Sequence, residues 1–94
     1  MAYAKLIFRQ HALQRMFERS VDAKDVRQVI EQGEVIKEYL DDKPYPSRLI
    51  LGWKEGRPLH VVAADDDNAF ETIVITVYEP DPMLWQADFR SKKS

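Results

Sequence analysis

The 94-residue sequence predicts a two-layer α+β domain, with two N-terminal helices packed on a four-stranded antiparallel sheet and a third helix at the C-terminus. Apolar residues recur with a helical period as far as Gly33 and then with a period near two as far as Tyr78. The alternating stretches are joined by short segments rich in Pro, Gly and Asp, which favours antiparallel pairing of consecutive strands. Amphipathic helices and half-apolar strands bury their apolar faces by stacking on one another.

The elements follow in chain order. "YAKLIF" is a short strand or an extended lead-in. In "HALQRMFER", residues 11–19, Leu13, Met16 and Phe17 form an apolar stripe, so this stripe is expected to dock and His11, Arg15 and Arg19 to face outward. "VDAKDVRQVIEQG" carries Asp22 as N-cap, Asp25 in the first turn, and Val21 and Val26 as a hydrophobic staple. Val26, Val29 and Ile30 are its buried stripe, and Gly33 fits a C-terminal cap with positive φ. "EVIKEYL" alternates, with Val35, Lys37 and Tyr39 on one face and Ile36, Glu38 and Leu40 on the other. "DDKPYPS" is a loop, because its prolines do not fit a central strand. "RLILGW" and "PLHVVAA" are strands joined at "KEG", with Gly56 at a positive-φ position, and "DDDNAF" leads into the last strand, "ETIVITVY". "PDPMLWQADF" is the C-terminal helix, with Asp81 as cap, Pro82 at the first helical position, and Trp85 and Phe89 facing inward.

Residues 1–94 form a single domain on grounds of length. Cysteine is absent and histidine occurs twice, which excludes disulfides and thiolate chemistry and argues against a metal site; no cofactor is expected. Three glycines make neither a P-loop nor a dinucleotide fingerprint, and no serine sits in a nucleophile elbow. "DDD" at 65–67 reads as a solvated turn. No apolar run spans a bilayer and no signal peptide opens the chain, so a soluble cytoplasmic protein is expected. The net charge of −2 is uneven: residues 1–60 hold 11 Lys/Arg against 9 Asp/Glu, and residues 61–94 hold 3 against 7. A local basic face on an acidic body follows.

His60 is the candidate proton carrier, since imidazole titrates near neutrality. With a three-residue "KEG" connection, Arg48 falls opposite Val62 and shares a face with His60, giving a guanidinium fork beside an imidazole, as phosphate chemistry needs. Tyr78 ends the last strand on its wetter side, where its hydroxyl could reach a leaving oxygen. His11 is a second proton carrier, Arg15 and Arg19 are cations for phosphates, and Tyr45 and Trp53 are candidates for stacking. Each has a plainer structural role: a half-buried strand histidine, a rim arginine paired with Glu34 or Glu38, a packing tyrosine, a solvated helix face. Hydrolysis at this grouping requires Arg48 and His60 to share a face and the imidazole to be reachable.

The segments "HALQRMFER", "VIEQGEVIKEY", "DDKPYPSRLILGW", "GRPLHVV" and "TIVITVYEPDPMLW" resemble the family termed domain of unknown function 4258, over roughly Phe8 to Phe89. That resemblance implies the fold of the RelE-like, MqsR-like and BrnT-like bacterial ribonuclease toxins. It also implies metal-independent cleavage of single-stranded RNA, free or on the ribosome, through attack of the 2′-hydroxyl. The implied partner is a cognate antitoxin with a zinc-binding segment and a helix-turn-helix. His11, Arg15, Arg48, His60 and Tyr78 stand at the motif positions. Such toxins are usually basic, whereas this chain is acidic. The competing expectation is a non-catalytic binding or interaction domain whose basic helix face meets an acidic partner.

Overall fold

Asp22 sets the start of the better-defined helix: its carboxylate accepts from the Asp25 N–H at 2.9 Å, and the Asp25 carboxylate accepts from the Asp22 N–H at 3.0 Å. This reciprocal box satisfies two of the donors that any helix start leaves free. In the computed structural model, which describes residues 3–93, the chain runs β1 (Lys5–Phe8), α1 (Gln10–Glu18), α2 (Ala23–Gln32), β2 (Glu34–Tyr39), β3 (Ser47–Lys54), β4 (Arg57–Asp66) and β5 (Glu71–Tyr78). The five strands form one mixed sheet in the order β1-β5-β4-β3-β2. β1 is the fifth strand and lies parallel to β5, so the sheet is neither four-stranded nor purely antiparallel.

Both helices pack on the same face, α1 over β5 and α2 over β3 and β4. Ala12, Met16, Val26 and Val29 come down from the helices onto Ile50, Leu59, Val61, Ala63, Val74 and Val77 of the sheet. Val26 and Val29 are 0% and 3% exposed, and each such burial contributes about 1.5–3 kcal/mol. The stripe expected to dock α1 does not do so: Ala12 and Met16 are buried, while Leu13 is 50% and Phe17 88% exposed. A nine-residue helix resting on one strand has a narrow buried face. Small Ala12 and flexible Met16 permit close approach to β5, which turns Leu13 and Phe17 to a flank.

Gly33 also plays a different part from the one expected. Its φ is −76°, and the chain passes from α2 directly into β2. A Cβ there would lie 2.4 Å from the Val29 carbonyl oxygen and 2.6 Å from that of Leu51, so close backbone approach is what requires glycine. Bulges between Val35 and Lys37 and opposite Val62/Ala63 reset the alternation of β2 and β5. Val35 therefore pairs with Ile50 on the helix side, whereas Lys37 and Tyr39 pair with Leu49 and Ser47 on the other side. Along β5, Val74 and Val77 face the helices and Tyr78 faces away, as their partners Ala63, Val61 and His60 do.

The expected C-terminal helix does not form. Asp81 caps a single turn, accepting from Met83 through its side chain and from Leu84 and Trp85 through its carbonyl. The chain then reverses: Trp85 bridges to Lys92, Gln86 N–H donates to the Ser91 carbonyl, and Phe89 takes φ 57°. Burial of Trp85 on the sheet, at 8% exposure, overrides the helical pattern. Among the described residues no helix is long and apolar enough to cross a membrane.

Candidate functional site

The β3–β4 hairpin decides which polar side chains meet. Its loop is the two residues Glu55 and Gly56, at φ 50° and 80°, the positive pair that a type I′ turn needs. Lys54 therefore pairs with Arg57, and every later pair is displaced by one residue from the register expected for a three-residue connection. Arg48 stands opposite Ala63 on the helix side, whereas His60 stands opposite Leu51 on the helix-free side. A one-residue slip exchanges the faces of a whole strand, so the predicted Arg48–His60 grouping is not formed. Arg48 is instead ion-paired to Asp65 at 3.3 Å, and the Asp65 carboxylate also accepts from the Thr72 hydroxyl at 2.7 Å.

His60 is fully buried. The C-terminal segment lies over it: the Trp85 ring stands edge-on at 4.5 Å between centroids, and the Phe89 carbonyl is 2.9 Å from Nε2. A carbonyl only accepts, so Nε2 carries the proton and Nδ1 is left as an acceptor. Tyr78 supplies the matching donor, its hydroxyl lying 3.1 Å from Nδ1. Burial lowers the His60 pKa below the ordinary 6.5, opposed in part by the hydrogen bond to Phe89. Burial likewise raises the Tyr78 pKa, with a further contribution from Tyr39. Both ring nitrogens of His60 are thus engaged, Nε2 by the Phe89 carbonyl and Nδ1 by the Tyr78 hydroxyl.

Tyr78 borders a cavity of about 280 Å³ on the helix-free side, between β2 and the C-terminal segment. Lys37, Tyr39, Tyr78, Trp85, Arg90 and Lys92 line it, with Leu49 at its base. The pairing of Lys37 with Tyr39 was legible in the alternation of "EVIKEY". Trp85, Arg90 and Lys92 were not, since nothing in the sequence signals that the tail folds back over the sheet.

The other candidates lie elsewhere. His11, Arg15 and Arg19 are exposed on or just after α1, across the sheet from His60, and Arg15 pairs with Glu18 at 3.3 Å. At 100° per residue His11 and Arg15 lie on one flank of α1 and Leu13 and Phe17 on the other. Tyr45 belongs to the loop between β2 and β3, where its hydroxyl bonds to Asp66 and its pKa is raised. Trp53 is half-exposed, edge-on to Phe89 at 6.1 Å, and borders a second cavity of about 440 Å³ shared with Glu34 and Arg90. The 65–67 aspartates are each engaged, Asp65 with Arg48, Asp66 with the backbone of Asn68 and Ala69, and Asp67 with the Tyr3 hydroxyl. No cluster of metal-ligating side chains occurs among the described residues.

Fold and site together define a small α+β domain with its helices on one face of a five-stranded mixed sheet and a histidine sealed against the other. The chain belongs to the family described as domain of unknown function (DUF4258), whose model matches residues 8–79. No curated protein and no solved structure matches it.

Proposed function

We propose that this domain is a non-catalytic binding module, and that the outer flank of α1 receives an acidic amphipathic segment of a partner protein. The carrying observation is Phe17, 88% exposed one helical turn from half-exposed Leu13. Isolated exposed apolar residues are ordinary, but an i, i+4 pair forms a ridge. The chain around α1 is basic, Lys5, Arg9, Arg15 and Arg19 standing against Glu18 over residues 1–19, with Lys5 paired to Glu71 and Arg15 on the flank opposite the ridge. A cognate antitoxin is one such partner, and it enters through the resemblance to the toxins. Cleavage of single-stranded RNA by His60, Arg48, Tyr78 and His11 would need them around one phosphodiester. Their division between two sides of the sheet, with the imidazole under Trp85, supports binding over cleavage.

A fluorescent acidic amphipathic helical peptide of roughly 15 residues, titrated into the full chain, tests this reading. Saturable binding that weakens at least tenfold in Phe17→Asp and loses salt dependence in R15E/R19E is expected. Phe17 is exposed, so its substitution leaves stability within about 0.5 kcal/mol. Equal affinity for wild type and Phe17→Asp overturns the proposal, as does peptide binding that maps to the opposite side of the sheet.

A further inference from the structure

We propose that the cavity between β2 and the C-terminal segment binds a nucleoside monophosphate, its base against Tyr39 and its phosphate held by Lys37 and Lys92. Charge is the first argument. In a chain of net charge −2, three cations and no carboxylate line this cavity. Arg90 is committed to Glu34, at 2.8 and 2.9 Å, which leaves the two lysines for a ligand. Among the described residues neither Lys37 nor Lys92 has a carboxylate within salt-bridge distance.

The rings are the second argument. The Lys37 ammonium stands over the Tyr39 ring at 5.4 Å, and that of Lys92 over the Trp85 ring at 5.9 Å. An exposed cation–π contact contributes about 0.5–1 kcal/mol, whereas a base stacked on an aromatic side chain contributes about 1–3 kcal/mol. A phosphate that draws the Lys37 ammonium to itself frees the Tyr39 ring for the stronger contact. Anion and planar ring are therefore wanted together, which is the chemistry of a nucleotide.

Size and polarity narrow the ligand further. At about 280 Å³ the space lies just below the roughly 300–1,000 Å³ of drug-sized sites, so it admits one nucleotide unit at most. Tyr78 lines the same space, and with its proton directed at His60 its hydroxyl oxygen is left as an acceptor. A ribose hydroxyl or an exocyclic amine supplies the donor it lacks.

The inference is independent of the α1 surface, because Lys37 and Tyr39 point to the other side of the sheet. It is tested by calorimetric titration of the full chain with adenosine 5′-monophosphate, adenosine, inorganic phosphate and a six-nucleotide adenosine strand. The monophosphate is expected to saturate with affinity at least tenfold above adenosine or phosphate alone, and K37Q/K92Q to weaken it at least tenfold. Binding of the strand through the same lysines, without binding of the free nucleotide, assigns the nucleotide to a chain end or loop and upholds the site. Saturation by neither probe, phosphate binding as tightly as the monophosphate, or unchanged affinity in K37Q/K92Q overturns it.

Discussion

Tyr78→Phe removes one oxygen and leaves the ring, whose centroid lies 5.1 Å from that of His60. The Phe89 carbonyl holds the imidazole proton on Nε2, so the tautomer cannot invert to compensate. Nδ1 then remains a buried acceptor without a donor. An ordinary hydrogen bond contributes about 0.5–1.5 kcal/mol net, but a buried polar atom left unpaired costs about 1–3 kcal/mol. His60 is fully buried, which places the loss at about 2 kcal/mol. In a domain of this size 1 kcal/mol corresponds to about 4–8 °C in Tm, so a fall of roughly 8–16 °C is expected. Thermal unfolding followed by far-UV circular dichroism at pH 8 measures it, with Tyr45→Phe in the exposed loop as a control that shifts much less. A fall under about 2 °C would refute the reasoning, since it would mean that Nδ1 does not depend on Tyr78.

Acid should destabilise the domain through His60. Its folded pKa lies below 6.5, so above that pH both states are neutral and stability is complete; as pH falls, the unfolded chain takes up the proton first and stability declines until the folded pKa is passed. Urea unfolding between pH 7.5 and 5.5 should show this decline in wild type and in His11→Ala but not in His60→Leu, and an unchanged slope in His60→Leu would assign the effect elsewhere. Gly33→Ala should cost about 1–3 kcal/mol by overpacking against two carbonyl oxygens, read as a lower urea midpoint at constant m-value. Asp22→Ala breaks the capping box and should lower stability by about 1 kcal/mol in the same measurement.

The start of α2 was legible because Asp22, Asp25 and the Val21/Val26 staple agree with one another and need no distant contact. The strand order from β2 to β5 was legible for the same local reason. Legibility ended where one residue of register or one bulge decided the matter. "KEG" identifies the turn and Gly56 its positive φ, but only the pairing of Lys54 with Arg57 shows a two-residue loop, and that loop sends Arg48 and His60 to opposite sides. Tyr78 was expected on the wetter side of β5, and it lies half-buried on the helix-free face, opposite His60. The tail shows the limit most clearly. "PDPMLWQADF" carries sound helical signals, and they lose to the burial of Trp85 against His60, a contact 25 positions apart that no local pattern encodes.

Binding without hydrolysis is tested most directly by incubating end-labelled single-stranded RNA with an excess of the protein in EDTA, with and without ribosomes. The RNA should remain full-length, identically for wild type and His60→Ala. Fragments ending in a cyclic phosphate, present with wild type and lost with His60→Ala, would contradict it.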